Sequence, residues 1–215
     1  MKTTKIIAYA LVVLFLTSTS CKKNKKTDPI QPPAPTQPPI ELITTMKVMI
    51  NNGTVTTTYQ FKDPDGDGGI QAFYGPGTTS LSTQADSVIN LLAIKNYTVY
   101  ILLLDETKTP VDTISKKVSE EGANHMFFFN QSNPIGAAPN SSVVIAGTNL
   151  TIKYLDTDGA ATSRAIGLTT QWITGLTTTT KKEVKITLRH QPSVKDGTYA
   201  PGDTDLEVPF KIKIN

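Results

Sequence analysis

Apolar and polar residues alternate with a period of two over most of the chain beyond residue 40. In "VTTTYQF", Val55, Thr57, Tyr59 and Phe61 share one face, while Thr56, Thr58 and Gln60 take the other. "LTIKY" groups Leu150, Ile152 and Tyr154, "VKITLRH" groups Val184, Ile186 and Leu188, and "LEVPFKIKI" groups Leu206, Val208, Phe210, Ile212 and Ile214. An extended chain points successive side chains to opposite faces, so these segments read as half-buried antiparallel strands. "YTVYILLL" is the most apolar of them and is expected to lie centrally. Turn signals ("NNG", "DGDGG", "TDG", "KDG", "PGD") separate the strands at short intervals. Plausible helical spacing is confined to "TQADSVINLLAIK". The expected fold is all-β, an antiparallel β-sandwich.

An internal echo suggests how the strands are grouped. "TVTTTYQFKDPDGDGGIQAF" parallels "TNLTIKYLDTDGAATSRAI": a threonine-rich strand, an aromatic residue, then aspartates and glycine. The first copy is accompanied by "ITTMKVMI", "YTVYILLL", "VDTISKKV" and "HMFFFN", the second by "TTQWIT" with Trp172 as its large core residue. Two immunoglobulin-like lobes are therefore expected, residues 40–131 and 132–215, divided near "NQSNPIGAAPNSS". A single sandwich or barrel of about eight to ten strands is the alternative.

The first 39 residues follow a different pattern. Residues 1–20 read as an export signal: Lys2 and Lys5, the apolar run "IIAYALVVLFL", and "TSTS" before Cys21, the only cysteine. The run is too short to span a bilayer. Cys21 has no partner for a disulfide within the chain, and its position resembles a lipobox, in which the thiol is acylated and becomes the first residue of the mature protein. Ser18 stands where lipoboxes usually carry leucine. Residues 21–39, "CKKNKKTDPIQPPAPTQPP", read as a Lys/Pro-rich tether, extended at about 3 Å per residue. Lys22, Lys23, Lys25 and Lys26 account for much of the net charge of +3, which leaves the folded part near neutral and gives nucleic-acid binding no electrostatic support.

Candidate chemistry is sparse. "DPDGDGG" places Asp63, Asp65 and Asp67 at alternate positions with Gly68 next, as a calcium loop of the EF-hand type begins. Tyr74 stands where the closing bidentate glutamate belongs, so calcium would need further ligands, for which Asp156 and Asp158 in the echoing turn are the candidates. The competing reading is a plain strand connection, since Asp and Gly accept turn conformations without an ion. His125 and His190 are the only histidines. Each shares the parity of apolar neighbours, Phe127 and Phe129 or Ile186 and Leu188, so both are expected to point inward. Two imidazoles with a carboxylate such as Glu121 would suit zinc or copper. No nucleophile elbow or phosphate-binding glycine loop is present, no catalytic residue is assigned, and a carboxylate-based hydrolase is the remaining enzymatic alternative.

The ordered motifs "CKKNKK", "FKDPDGDGG", "YTVYILLLDE", "EEGANHMFFF" and "ITLRHQPSVKDGTYAPGDTDLEVPFKIKI" resemble those of small uncharacterised outer-membrane lipoproteins of the Bacteroidetes kind. The resemblance implies outer-membrane attachment, on either face, and service beside an uptake receptor. The expected function is a membrane-anchored, non-catalytic binding or accessory module with an envelope protein as partner. The alternative is a metal-handling protein built on His125 and His190.

Overall fold

The computed structural model describes residues 41–65, 73–76, 88–135 and 140–215. The expected leader, Cys21, the tether and Asp67 lie outside the described residues. Pro39–Asn215 forms one compact unit. No helix among the described residues is long and apolar enough to cross a membrane.

The described strands are β1 (Thr45–Asn51), β2 (Thr56–Lys62), β3 (Phe73–Pro76), β4 (Val88–Leu91), β5 (Asn96–Leu104), β6 (His125–Phe129), β7 (Ser142–Ile145), β8 (Leu150–Tyr154), β9 (Thr169–Thr174), β10 (Lys182–His190) and β11 (Asp203–Ile214). They form two open sheets, ordered β3-β2-β1-β5-β9-β8-β7 and β4-β11-β10-β6. All pairs are antiparallel except β4 with β11. The all-β sandwich expected from the alternation is the fold, and it is not closed into a barrel.

Alternation explains the two layers. In β5, Tyr97, Val99, Ile101 and Leu103 are buried while Asn96 and Tyr100 are exposed, and β1 matches it with Met46, Val48 and Ile50. The second sheet answers with Val184, Ile186 and Leu188 from β10 and Val208, Phe210, Ile212 and Ile214 from β11. Trp172 of β9 meets Phe129 of β6 edge-on at 6.4 Å. Tyr154 of β8 donates its hydroxyl to the Phe127 carbonyl at 2.8 Å, so the sheets are joined by a hydrogen bond as well as by packing. Burying each such large side chain stabilises the fold by about 1.5–3 kcal/mol.

The expected boundary between residues 131 and 132 does not separate two cores. β5 pairs with β9 and β4 with β11, so each sheet draws strands from both halves, and one hydrophobic cluster includes residues of both. Composition marks where the chain leaves a strand. It does not say which strand comes next in space, and the polar stretch near residue 135 is a connection within one sandwich.

Two local expectations also change. "VDTISKKV" is helical from its fourth residue: α1 (Ile114–Glu120) buries Ile114 and Val118, one turn apart, on the β5 side of the fold. Within "TQADSVINLLAIK", Val88–Leu91 is a strand, with Ile89 and Leu91 inward, and the residues before Val88 in that stretch lie outside the described set.

Antiparallel register gives the sandwich two ends. At one end lie the connections 52–55, 92–96, 146–149 and 175–181. The opposite end holds residue 41, the 105–113 connection, α1, the 156–167 loop and the 191–202 loop.

Candidate metal centre

His125 opens β6 and His190 closes β10, and the two residues are direct cross-strand partners. Their parity with Phe127 and Leu188 carries both rings toward the sandwich interior at the rim of its second end. The rings stack, centroids 4.7 Å apart and planes within 13°.

The third member comes from a break in register. Leu188 pairs with Leu206, but Arg189 pairs with Thr204, so Asp205 is the extra residue of a β-bulge on β11. Strict alternation would set Asp205 opposite to the inward-facing Leu206. The bulge re-aims it, as bulges commonly do beside functional sites. Its Oδ2 lies 3.7 Å from Nε2 of His125. Ligand atoms of His125, His190 and Asp205 all fall within 4.8 Å of one another, and among the described residues no other group of three His, Cys, Asp or Glu does so.

Electrostatics favour a bound cation. Nδ1 of His125 lies 3.2 Å from the Glu121 carbonyl oxygen. A carbonyl can only accept, so Nδ1 carries the proton and Nε2 presents a lone pair toward Asp205. Burial, helped by the neighbouring imidazole, holds His125 below the ordinary histidine range, although the Glu121 carbonyl and Asp205 pull the other way. The neutral, ligating form is thereby favoured. Burial pushes the Asp205 carboxyl up, against the attraction of both histidines, and Glu41 and Asp203 add negative charge beside it. The 3.7 Å gap between Asp205 and His125 is too long for a hydrogen bond. It suits an ion about 2.0–2.2 Å from each atom.

The surroundings hold this geometry. The Gln191 N–H donates to the Asn124 carbonyl at 2.6 Å, fixing the end of β10 to the residue before His125. Arg189, on the outer face, donates to Thr204 Oγ1 at 2.6 Å and to the carbonyls of Pro201 and Gly202, and stacks over Tyr199. Gly202, at φ +80°, lies so close to the His190 carbonyl that a Cβ there would overlap it.

The other sequence candidates are placed differently. Glu121 reaches the site through its backbone carbonyl, and the residue is exposed. Asp156 accepts the N–H groups of Gly167 and Thr169 at 2.7 and 2.9 Å. Asp158 accepts those of Ala160 and Arg164 at 3.1 and 3.0 Å, and pairs with buried Lys195 at 3.0 Å. These two carboxylates are thus engaged in holding the 156–167 loop. Asp63 is buried at the end of β2 and Asp65 is exposed in the turn that follows. Asp205 was not found by sequence reasoning, because nothing in "PGDTDLEVPF" marks a bulge.

The fold and site thus define a β-sandwich with a two-histidine, one-carboxylate cluster. No protein-family model matches the chain, and neither a curated protein nor a solved structure matches it.

Proposed function

We propose that this protein is an envelope-tethered β-sandwich that binds a divalent transition-metal ion through His125, His190 and Asp205. The observation that carries the reading is the convergence of three ligand atoms from three strands, one of them delivered by a bulge. Imidazole nitrogen with one carboxylate suits zinc or copper(II), whereas magnesium and calcium prefer all-oxygen sites. Three protein ligands leave a further position for water or for a donor brought by a partner. The module binds and holds the ion and does no chemistry of its own. Cys21, acylated after removal of residues 1–20, attaches it to the outer membrane, and residues 22–39 act as spacer beside an envelope partner.

Thermal melts with zinc, copper(II) and calcium test the metal reading. A specific ion at a hundred times its Kd stabilises the fold by about 2.7 kcal/mol. Zinc or copper is expected to raise the midpoint of the parent protein and to leave His125→Ala and His190→Ala unmoved. Equal shifts in parent and variants would overturn it. A calcium shift that persists in both histidine variants and vanishes in Asp65→Asn would instead support the calcium turn. Mass spectrometry of the membrane fraction tests the anchor: acyl mass on Cys21, absent from Cys21→Ser, is the expected result.

A further inference from the structure

The end of the sandwich away from the histidines carries an arrangement that neither the core nor the metal cluster explains. Four of its apolar side chains stand in solvent: Val55, Leu92, Ile94 and Leu176, with 58%, 57%, 73% and 70% of their surface exposed. They come from three separate connections, 52–55, 92–96 and 175–181. Two of these connections, 92–96 and 175–181, are bonded to each other, and 175–181 also to 146–149. Ile94 N–H donates to the Gly175 carbonyl at 3.0 Å, and Asn149 Nδ2 to the Leu176 carbonyl at 3.1 Å. Thr174 Oγ1 donates to the Leu92 carbonyl at 2.7 Å and accepts from the Lys95 N–H at 2.9 Å.

Ile94 sits at φ 56°, in the left-handed region that a β-branched residue rarely occupies. Such a conformation persists only where its surroundings over-determine it. Here the bonded loops hold an isoleucine outward at a strained tip, where asparagine or glycine would fit without cost.

The charge pattern names the surface that would meet these tips. Residues 52–55, 92–96, 146–149 and 175–181 contain no aspartate or glutamate, but they include Lys95 and Lys181. The nearest acid in sequence, Glu183, is paired with Lys211 at 2.7 Å. Val111 and Leu155, exposed at the other end, are each followed in sequence by an aspartate. Apolar groups on separate projecting loops offer a rigid partner no groove to fill. A fluid interface closes around each of them, and lysine stems reach from it to phosphate.

We infer that this loop end docks on an anionic lipid surface, with Leu92, Ile94 and Leu176 entering the headgroup region and Lys95 contacting phosphate. The inference is independent of the metal site, which then faces away from the lipid. Residues 22–39 span about 55 Å if extended, more than the roughly 40 Å of β11, so entry of the chain at the opposite end does not prevent this orientation.

Residues 39–215, which form one compact unit with a continuous core, provide the test without leader or acyl chains. Sedimentation is compared for vesicles of phosphatidylcholine alone and vesicles also containing phosphatidylglycerol. The expected result is binding to the anionic vesicles that weakens as salt rises. Ile94→Asp with Leu176→Asp should weaken it roughly tenfold or more, and Lys95→Glu about fivefold. The control Val111→Asp should leave it unchanged, and melting midpoints show whether each variant folds. No binding to anionic vesicles overturns the inference, as does binding indifferent to the loop substitutions. Concentration-dependent dimerisation abolished by Ile94→Asp, without lipid binding, would assign the end to a second copy and equally overturn it.

Discussion

Where β10 finishes, polar and charged side chains turn into the protein; where it begins, apolar side chains turn out of it. Both ends invert the usual partition of residues, and both are braced against relaxing. At the histidine end, Lys195 bonds the Asp158 carboxylate and the Gly122 carbonyl, and Arg189 clamps the 200–204 segment. At the opposite end, Thr174 and Gly175 tie the Ile94 tip to its neighbour. The difference lies in what each end exposes. One sets Glu41 and Asp203 beside Asp205 and pairs Glu41, Asp105 and Asp112 with Lys117 and Lys108. The other offers lysine and aliphatic groups and, in its connections, no acid. Both proposed surfaces, the metal cluster and the lipid-facing loops, lie where these inversions occur.

Asp158→Ala should break the histidine end most severely. It strands the Lys195 ammonium, whose side chain is only 3% exposed, and frees two backbone N–H groups. A loss of about 3–5 kcal/mol in urea unfolding is expected. A loss under about 1 kcal/mol would mean that this polar network is solvated decoration and that the comparison fails. pH sharpens the same point. Burial pushes the Asp158 carboxyl up, but the N–H groups of Arg164 and Ala160 and the ammonium of Lys195 outweigh it and hold the group below its ordinary value. Its contribution is therefore present above the unfolded-state value of 3.8 and is lost as pH falls through the lower folded-state value. The acid limb of the stability curve should be shallower in Asp158→Asn.

Gly202→Ala comes next, at roughly 2 kcal/mol, since the new Cβ at φ +80° must displace the His190 carbonyl. The same displacement should shrink the zinc- or copper-induced rise in melting midpoint. Asp205→Asn is smaller still for the fold and larger for the ligand. Burial opposes ionisation of this carboxyl, so a neutral amide should leave the metal-free melting midpoint unchanged or slightly higher. Metal affinity, read by calorimetry, should fall at least about a hundredfold. A destabilised metal-free variant would make Asp205 a structural partner of His125.

The faces of the strands could be read from the sequence, and their neighbours could not. Val184, Ile186 and Leu188 point inward as their spacing requires, and so do Val208, Phe210 and Ile212. Yet the same spacing is silent on whether β5 lies beside β9, because alternation specifies a face and not a partner. α1 escaped notice because two apolar positions one turn apart, Ile114 and Val118, are too short a signal to outweigh β-branched neighbours. Within the site, parity brought His125 and His190 inward. Asp205 depends on one inserted residue, which changes facing without changing composition. Glu121 contributes its backbone, an option no side-chain inventory contains.

Ile94→Gly sharpens the comparison most, because a gain in stability is expected to accompany a loss of binding. Ile94 pays for its position twice, in backbone strain at φ 56° and in exposed hydrocarbon, and it contributes little packing at 73% exposure. Ile94→Gly removes the steric cost of the left-handed conformation, about 1–2 kcal/mol, and returns part of it as extra freedom in the unfolded chain. The net expectation is a gain of about 0.5–1 kcal/mol in urea unfolding, together with weaker sedimentation with anionic vesicles. Stability gained while binding is lost is the signature of a residue retained for contact. If Ile94→Gly instead destabilises the protein, Ile94 supports the tip by packing, and the two ends no longer differ in the way their chemistry suggests.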